Sequence, residues 1–150
     1  MEVPKNELFS VLQEFNPWWS GQSGGALPPW KRSAYRQIWK WVESTQTKRS
    51  LLLTGARQVG KTTLFRQTIR QLLDAGFPAS NIVYITFDHP ILKLAGLQRV
   101  LNAWEELYPI DAEAQQFLFL DEIQYVKDWQ TWLKHQVDFQ SQRRLGVSGL

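Results

Sequence analysis

The chain has 150 residues, which is the size of one ordinary domain. Its 43% of apolar and 21% of charged residues are typical of a globular protein and exclude a disordered or fibrous one. The absence of cysteine excludes disulfides, thiolate metal sites and cysteine nucleophiles, and agrees with the reducing cytoplasm, where we expect the protein. No apolar run approaches the ~20 residues of a membrane-spanning helix, so we expect no membrane partner.

Charge and tryptophan divide the chain near residue 50. The net charge is +3, and the basic excess lies ahead of Leu51. Five of the eight tryptophans lie in the same part of the chain: Trp18, Trp19, Trp30, Trp39 and Trp41. We therefore predict a tryptophan-rich N-terminal extension of helices and loops over residues 1–50, and a core over residues 51–150.

The extension contains two helical patterns. Apolar residues at helical spacing between Leu8 and Phe15 end at Pro17, and a second helix is predicted to begin near Ser33 and to end near Thr45. The glycine, serine and proline residues between the two helices indicate an irregular loop.

The core alternates between short apolar strands and amphipathic helices. Short uninterrupted apolar runs are typical of strands that are buried on both faces of a parallel sheet. Strands are predicted at Leu51–Leu53, Ile82–Phe87, Phe117–Leu120 and Arg144–Val147, and helices at Lys61–Ala75, at Ile91–Tyr108 and after Asp128. This alternation predicts an α/β fold, a three-layer sandwich with a mainly parallel sheet.

A glycine-rich loop follows the first strand of the core. It matches the phosphate-loop pattern G-x-x-x-x-G-K-[ST], with a strand before it and a helix after it. The glycines permit a close approach that a Cβ would block, and the loop amides and the positive helix end bind phosphate oxygens. Lys61 is predicted to reach the terminal phosphates, and the Thr62 hydroxyl to bind Mg²⁺. The predicted phosphate-binding residues of this segment are Gly55, Ala56, Arg57, Gln58, Val59, Gly60, Lys61, Thr62 and Thr63.

Two carboxylates follow the third predicted strand. Because ligands bind at the carboxyl ends of parallel strands, Asp121 is predicted to hold Mg²⁺ together with Thr62. Glu122 is predicted to accept a proton from the water that attacks the γ-phosphate, which favours hydrolysis over transfer to a metabolite. Lys61 and Glu122 are therefore the expected catalytic residues.

Other polar residues near predicted strand ends leave alternatives open. Ser148 ends the last strand, where its hydroxyl either senses the γ-phosphate or has no such role. Asp88 either lines the same cleft or belongs to an ordinary turn. His89 and His135 lack metal-ligand spacing and are predicted to be structural or at the surface.

Together these segments resemble a known family, the prokaryotic AAA+-like P-loop ATPases with a C-terminal domain of unknown function. The matching stretches are NPWW at 16–19, GARQVGKTT at 55–63, FLFLDEIQYV at 117–126, and Asp128-Trp129. The resemblance implies that the phosphate-loop strand lies near the centre of the sheet and that Ser148 occupies a sensor position. It also implies a fifth strand, a helical lid, an arginine finger and a further domain beyond Leu150. We therefore expect a P-loop NTPase core that is truncated after the fourth strand.

From these residues we expect an ATPase module that binds ATP with Mg²⁺ and hydrolyses it. The lack of a guanine-reading N-K-x-D segment favours ATP over GTP. Two alternatives stay open: a nucleotide-gated switch with little turnover, and a nucleic-acid-associated ATPase that uses the basic residues of the extension, Lys31, Arg32, Arg36, Lys40, Lys48 and Arg49. A homo-oligomer is a further expectation, because the Leu51–Leu53 strand would lack a neighbour on one flank. The tryptophans of the extension either stack on adenine or pack in the core.

Overall fold

The computed structural model describes residues 2–22, 25–28, 34–43, 50–54 and 60–149. The α-helices within these ranges are α1 (Lys5–Phe15), α2 (Ala34–Glu43), α3 (Lys61–Asp74), α4 (Pro90–Ala95), α5 (Leu97–Leu107) and α6 (Trp129–Phe139). The strands are β1 (Leu51–Thr54), β2 (Ile82–Thr86), β3 (Gln116–Asp121) and β4 (Arg143–Gly149). Short 3₁₀ turns occupy Pro17–Ser20, Ala79–Asn81 and Ile123–Tyr125. None of the helices in these ranges has both the length and the apolar character of a membrane span.

The four strands form one parallel sheet in the order β1-β4-β3-β2, which confirms the predicted parallel sheet. β4 lies between the phosphate-loop strand β1 and the strand β3, with Leu53 opposite Ser148 and Leu120 opposite Val147. The strand that lies between the phosphate-loop strand and the strand of the acidic pair is therefore β4, the last of the described strands. β1 lies at an edge of the described sheet and not at its centre, because the described residues place a neighbour on one side only.

Helices cover both faces of the sheet, so the three-layer arrangement is also confirmed. Along β3, Phe117 and Phe119 belong to one apolar core and Leu118 and Leu120 to the other, as the two-residue period of a strand requires. Side chains of α2 and α3 close the core on the phenylalanine side, whereas α1, α4 and α5 close the opposite core. Each large apolar side chain that is fully buried contributes roughly 1.5–3 kcal/mol by leaving water. The two helices of the predicted extension thus lie on opposite faces of the sheet.

The predicted single helix over residues 91–108 is wrong, since Gly96 divides it into α4 and α5. Gly96 has a φ of +87°, a conformation outside the helical region that glycine adopts without a steric penalty. α4 begins at Pro90, and Nδ1 of His89 caps it by accepting a hydrogen bond of 3.1 Å from the N–H of Ile91. His89 therefore has a structural contact at the start of this helix.

Several sequence predictions fall outside the described residues. They concern the ends of the second helix, near Ser33 and Thr45, together with Trp30 and the basic residues Lys31, Arg32, Lys48 and Arg49. Arg36 and Lys40 lie on α2. The nucleic-acid alternative therefore rests on the sequence alone.

Candidate functional site

The candidate site lies where the carboxyl ends of the strands meet the N-terminus of α3. Parallel strands end at one edge of a sheet, and the first N–H groups of a helix have no partner within the helix, so this edge suits an anionic ligand. Gly60 precedes α3 in the left-handed conformation, with a φ of +80°, which glycine permits at this tight turn. The predicted phosphate-binding residues Gly55, Ala56, Arg57, Gln58 and Val59 lie outside the described residues.

Lys61 is the first residue of α3 and is 3% exposed. Its ammonium group donates a hydrogen bond of 3.0 Å to the carbonyl oxygen of Gly149, at the end of β4. A buried charge requires polar partners, and this carbonyl supplies one. The lysine that we predicted to bind phosphate is thus held at the carboxyl end of the sheet. Thr63 follows on the same helical turn and is half-buried.

Asp121 is the centre of a cluster of hydroxyl groups. It ends β3, is 2% exposed, and accepts through Oδ2 from the hydroxyls of Thr62 at 2.6 Å and Tyr84 at 2.5 Å. Oδ1 accepts a hydrogen bond from the hydroxyl of Ser148. A buried carboxylate is tolerated when its oxygens are satisfied, and hydroxyl donors satisfy both oxygens here. The structure thus brings together Thr62, Asp121 and Ser148, which we predicted, and adds Tyr84, which sequence reasoning missed.

Tyr84 was detectable in principle, because it places a phenol among the buried apolar residues Ile82, Val83 and Ile85. A buried phenol needs a hydrogen-bond partner. Burial raises the pKa of Tyr84 far above its usual value, and the charge of Asp121 and the hydrogen bond to Asp121 raise it further. The guanidinium of Arg66, 6.0 Å from the ring centroid, and the hydrogen bond with Thr62 lower it by less. Tyr84 therefore stays protonated and donates to Asp121.

Glu122 follows Asp121 in the left-handed conformation, with a φ of 56°, which is uncommon for a residue with a side chain. Backbone conformations of this kind concentrate at functional sites. Glu122 is 6% exposed, and its Oε2 accepts a hydrogen bond of 2.6 Å from Nε2 of Gln124. Sequence reasoning missed Gln124, although an amide two residues after the predicted base was an available signal.

Ser148 connects the two acidic positions. Its buried hydroxyl donates to Asp121 and accepts a hydrogen bond of 3.1 Å from the main-chain N–H of Glu122. At the next residue, Gly149, an added Cβ would lie 2.9 Å from Oε1 of Gln124. The turn after β3 is therefore packed directly against the end of β4, and β4 positions the main chain of Glu122.

A cavity of about 440 Å³ opens beside this cluster, on the side of β2. Asp88 lies in its wall and accepts a hydrogen bond of 2.6 Å from the hydroxyl of Thr86 within the turn after β2. Asp88 therefore both lines the cleft and belongs to the turn, as the two alternatives proposed. The residues that line the cavity are Phe15, Thr62, Tyr84, Thr86, Asp88, His89, Pro90, Asp121 and Glu122.

The donor set fits a magnesium ion. Mg²⁺ is usually bound by one or two protein oxygens together with phosphates and water. The hydroxyl of Thr62 and the carboxylate of Asp121 supply two such oxygens, 2.6 Å apart. Among the residues that the structure describes, no group of three or more His, Cys, Asp or Glu side chains could hold a metal by itself. The arrangement therefore suits an ion that is shared with a bound phosphate.

The chain is similar to known proteins over most of its length. Residues 47–149 match the AAA domain family. The uncharacterized protein MJ1637 of Methanocaldococcus jannaschii is 34% identical over 100 residues, which are 66% of this chain and 21% of that protein. The solved structure of C. elegans PCH-2 is 18% identical, with a TM-score of 0.53, and the match covers 91% of this chain and 41% of that chain.

These similarities differ in what they establish. At 18% identity, the likeness to PCH-2 shows the fold alone. The chain spans 21% of the length of the Methanocaldococcus protein. The family match includes both the phosphate-loop pattern and the acidic pair. The chain therefore belongs to the AAA domain family, as a nucleotide-binding ATPase module with an AAA+-like P-loop fold.

Proposed function

We propose that this module binds ATP together with Mg²⁺ and hydrolyses the ATP, in the cytoplasm. The observation that carries the proposal is the 2.6 Å contact between Thr62 and Asp121, directly beside Lys61 at the start of α3. Asp121 is far from Lys61 and Thr62 in sequence, and the fold brings the three side chains to one edge of the sheet. This combination is what a nucleoside triphosphate and its ion require.

The phosphates are assigned to Lys61 and to the main-chain amides of residues 58–62. Lys61 donates to the carbonyl oxygen of Gly149, which is a neutral acceptor. Charged phosphate oxygens form stronger hydrogen bonds with an ammonium group than a carbonyl does. We therefore expect Lys61 to exchange Gly149 for phosphate when the nucleotide binds.

The ion is assigned to Thr62 and Asp121. When bound, Mg²⁺ neutralises part of the charge on the β- and γ-phosphates. The chain contributes the placement of the two oxygens, since Thr62 lies in the first turn of α3 at the point where β3 ends in Asp121. Ser148 supports this placement, because its hydroxyl donates to Oδ1 of Asp121.

Glu122 is assigned the role of general base. Its side chain lines the cavity beside Asp121, and the cavity is large enough for water. A carboxylate in this position accepts a proton from a water molecule as the water oxygen bonds to the γ-phosphorus. The bond from that phosphorus to the β–γ bridging oxygen breaks, and ADP leaves. The hydrogen bond from Gln124 orients the carboxylate.

Glu122→Gln tests the proposal, with ATP binding and phosphate release measured in parallel. The substitution keeps the size of the side chain and removes the proton acceptor. We expect phosphate release to fall by about 10²–10⁴-fold while ATP affinity is retained. Glu113→Gln changes an exposed glutamate in the same way and is the matched control. Equal rates in wild type and Glu122→Gln would remove the base role, and a wild type without magnesium-dependent ATP binding would overturn the proposed function.

A nucleotide-gated switch with little turnover is the second candidate. It is supported by the hydrogen bond of 2.6 Å from Gln124 to Glu122, which occupies one oxygen of the proposed base. Gln124→Leu separates the candidates in a single-turnover measurement of phosphate release. If the hydrogen bond only orients Glu122, the rate falls; if it restrains Glu122 in an inactive position, the rate rises.

A further inference from the structure

The N-terminal segment completes the outer edge of the sheet at β2. Among the described residues, β2 pairs with one strand, β3, and its other side faces Asn16. The side-chain oxygen of Asn16 accepts from the main-chain N–H of Tyr84 at 2.7 Å, and its amide nitrogen donates to the carbonyl oxygen of Tyr84 at 2.9 Å. A neighbouring strand would offer the same donor and acceptor. Asn16 is fully buried, and its amide nitrogen also donates to the carbonyl oxygen of Leu12, at 2.8 Å.

Two tryptophans hold the same strand at its first residue. The indole N–H groups of Trp18 and Trp19 both donate to the carbonyl oxygen of Ile82, at 3.0 and 2.9 Å. Because Ile82 and Tyr84 are two residues apart, these contacts and those of Asn16 fall on the same edge of β2. The tryptophans lie at the start of β2, whereas Thr62 and Asp121 lie at the carboxyl ends of the strands. The structure therefore connects these two tryptophans to the sheet.

Tyr84 links Asn16 to the candidate ion site. Its main chain is hydrogen-bonded to the side chain of Asn16, and its own side chain reaches Asp121. Tyr84 is buried, and Phe15 packs near its ring with a centroid distance of 6.4 Å. A tyrosine has two side-chain torsions, so a fixed main chain and a packed ring determine the position of the hydroxyl. That hydroxyl lies 2.5 Å from Oδ2 of Asp121.

We propose that Tyr84 is a positioning residue for Asp121, and that Asn16 sets the position of Tyr84. The inference rests on the proposed function, in which Thr62 and Asp121 hold Mg²⁺. With Thr62 assigned to the ion, Tyr84 and Ser148 donate to the two different oxygens of the Asp121 carboxylate and fix its plane. The N-terminal segment thereby takes part in metal-dependent nucleotide binding through Tyr84.

Tyr84→Phe tests the first step. Binding of a fluorescent ATP analogue is titrated with excess Mg²⁺ and with EDTA, and the ratio of the two dissociation constants is the readout. We expect Tyr84→Phe to reduce this ratio about tenfold, since one hydrogen bond to a charged group is lost, while the affinity in EDTA stays at the wild-type value. A general loss of structure would weaken binding under both conditions. Tyr35→Phe, which also removes a buried tyrosine hydroxyl, is the matched control and should keep the wild-type ratio.

Asn16→Asp tests the second step. The carboxylate still accepts from the N–H of Tyr84, but it has no hydrogen to donate to the carbonyls of Tyr84 and Leu12. We expect the same reduction in the ratio, and no further reduction in the double variant with Tyr84→Phe, because both changes act through one hydroxyl. Asn102→Asp, at an exposed position, is the control. Thermal unfolding of each variant shows whether it is folded. If Asn16→Asp does not fold, Tyr84→Phe still decides the first step.

Each outcome has one meaning. A wild-type ratio in folded Tyr84→Phe overturns the positioning role of Tyr84. Additive losses in the double variant overturn the role of Asn16 through Tyr84. A wild type that binds the analogue equally well with Mg²⁺ and with EDTA overturns the proposed function itself, which distinguishes that failure from the other two.

Discussion

The hydroxyl of Thr62 lies 2.6 Å from Oδ2 of Asp121, although 59 residues separate them in sequence. The two side chains belong to a helix and a strand that meet at one edge of the sheet. If both oxygens hold one cation, the negative charge of the Asp121 carboxylate is essential for binding that cation. An uncharged side chain of the same shape would not replace it.

We therefore expect Asp121→Asn to bind nucleotide with little response to Mg²⁺. The amide keeps the size of the carboxylate and loses its charge, which should cost on the order of 100-fold in affinity measured with Mg²⁺. Fluorescence titration of an ATP analogue with and without Mg²⁺ measures the effect. Asp111→Asn, at an exposed position, should behave as wild type. An unchanged magnesium response in Asp121→Asn would show that the ion binds elsewhere.

Asn16→Ala should destabilise the fold by roughly 2–4 kcal/mol, because it leaves the main-chain N–H and C=O of Tyr84 buried without these partners. Urea denaturation gives the free energy of unfolding. Asn102→Ala removes an exposed asparagine side chain and should change stability by less than about 0.5 kcal/mol. If the two variants lose equal stability, Asn16 does not serve as the neighbour of β2.

The raised pKa of Tyr84 predicts a loss of stability in alkali. The stabilisation is fully present below the unfolded pKa of about 10, and it is lost as pH rises towards the folded pKa, because the unfolded chain releases a proton that the folded chain retains. Above pH 10 this group lowers the free energy of unfolding by about 1.4 kcal/mol per pH unit. Urea denaturation with EDTA at several pH values gives the free energy of unfolding as a function of pH. Above pH 10, we expect this free energy to fall less steeply in Tyr84→Phe than in the wild type, by about 1.4 kcal/mol per pH unit. Parallel slopes would show that the folded and unfolded pKa values of Tyr84 are alike.

Gly146→Ala should destabilise the protein by about 1–2 kcal/mol. The new Cβ would lie 3.3 Å from Cδ1 of Phe119 and 3.4 Å from Cε1 of Phe65, and both rings are fully buried. Phe119→Leu gives room at this contact, so in a urea-denaturation double-mutant cycle the combined loss should be smaller than the sum of the two single losses. Strict additivity would mean that the added methyl does not press on Phe119.

The element types followed from local patterns, because a buried parallel strand and an amphipathic helix each have a characteristic apolar period. The division of residues 91–108 at Gly96 did not, since the helical spacing of apolar residues continues across a single glycine of positive φ. The phosphate-loop pattern and the acidic pair predicted site residues from the sequence, because residues of those types in that pattern are typical of phosphate and magnesium binding. Tyr84 and Gln124 are residue types with many uses, so the signals that they offered in the sequence did not specify a place in the site.

The sequence alone specified the α/β class, the strand that leads into the phosphate loop, and the carboxylates at the end of β3, because each of these depends on neighbours along the chain. The position of β4 between β1 and β3 depends on packing across the sheet, and no strand carries a local pattern that names its partner. The hydroxyl cluster around Asp121 exists because that strand order brings Ser148 to one oxygen and Tyr84 to the other. The use of Asn16 as a substitute for a neighbouring strand likewise arises from folding, since it requires α1 to end beside the outer edge of β2.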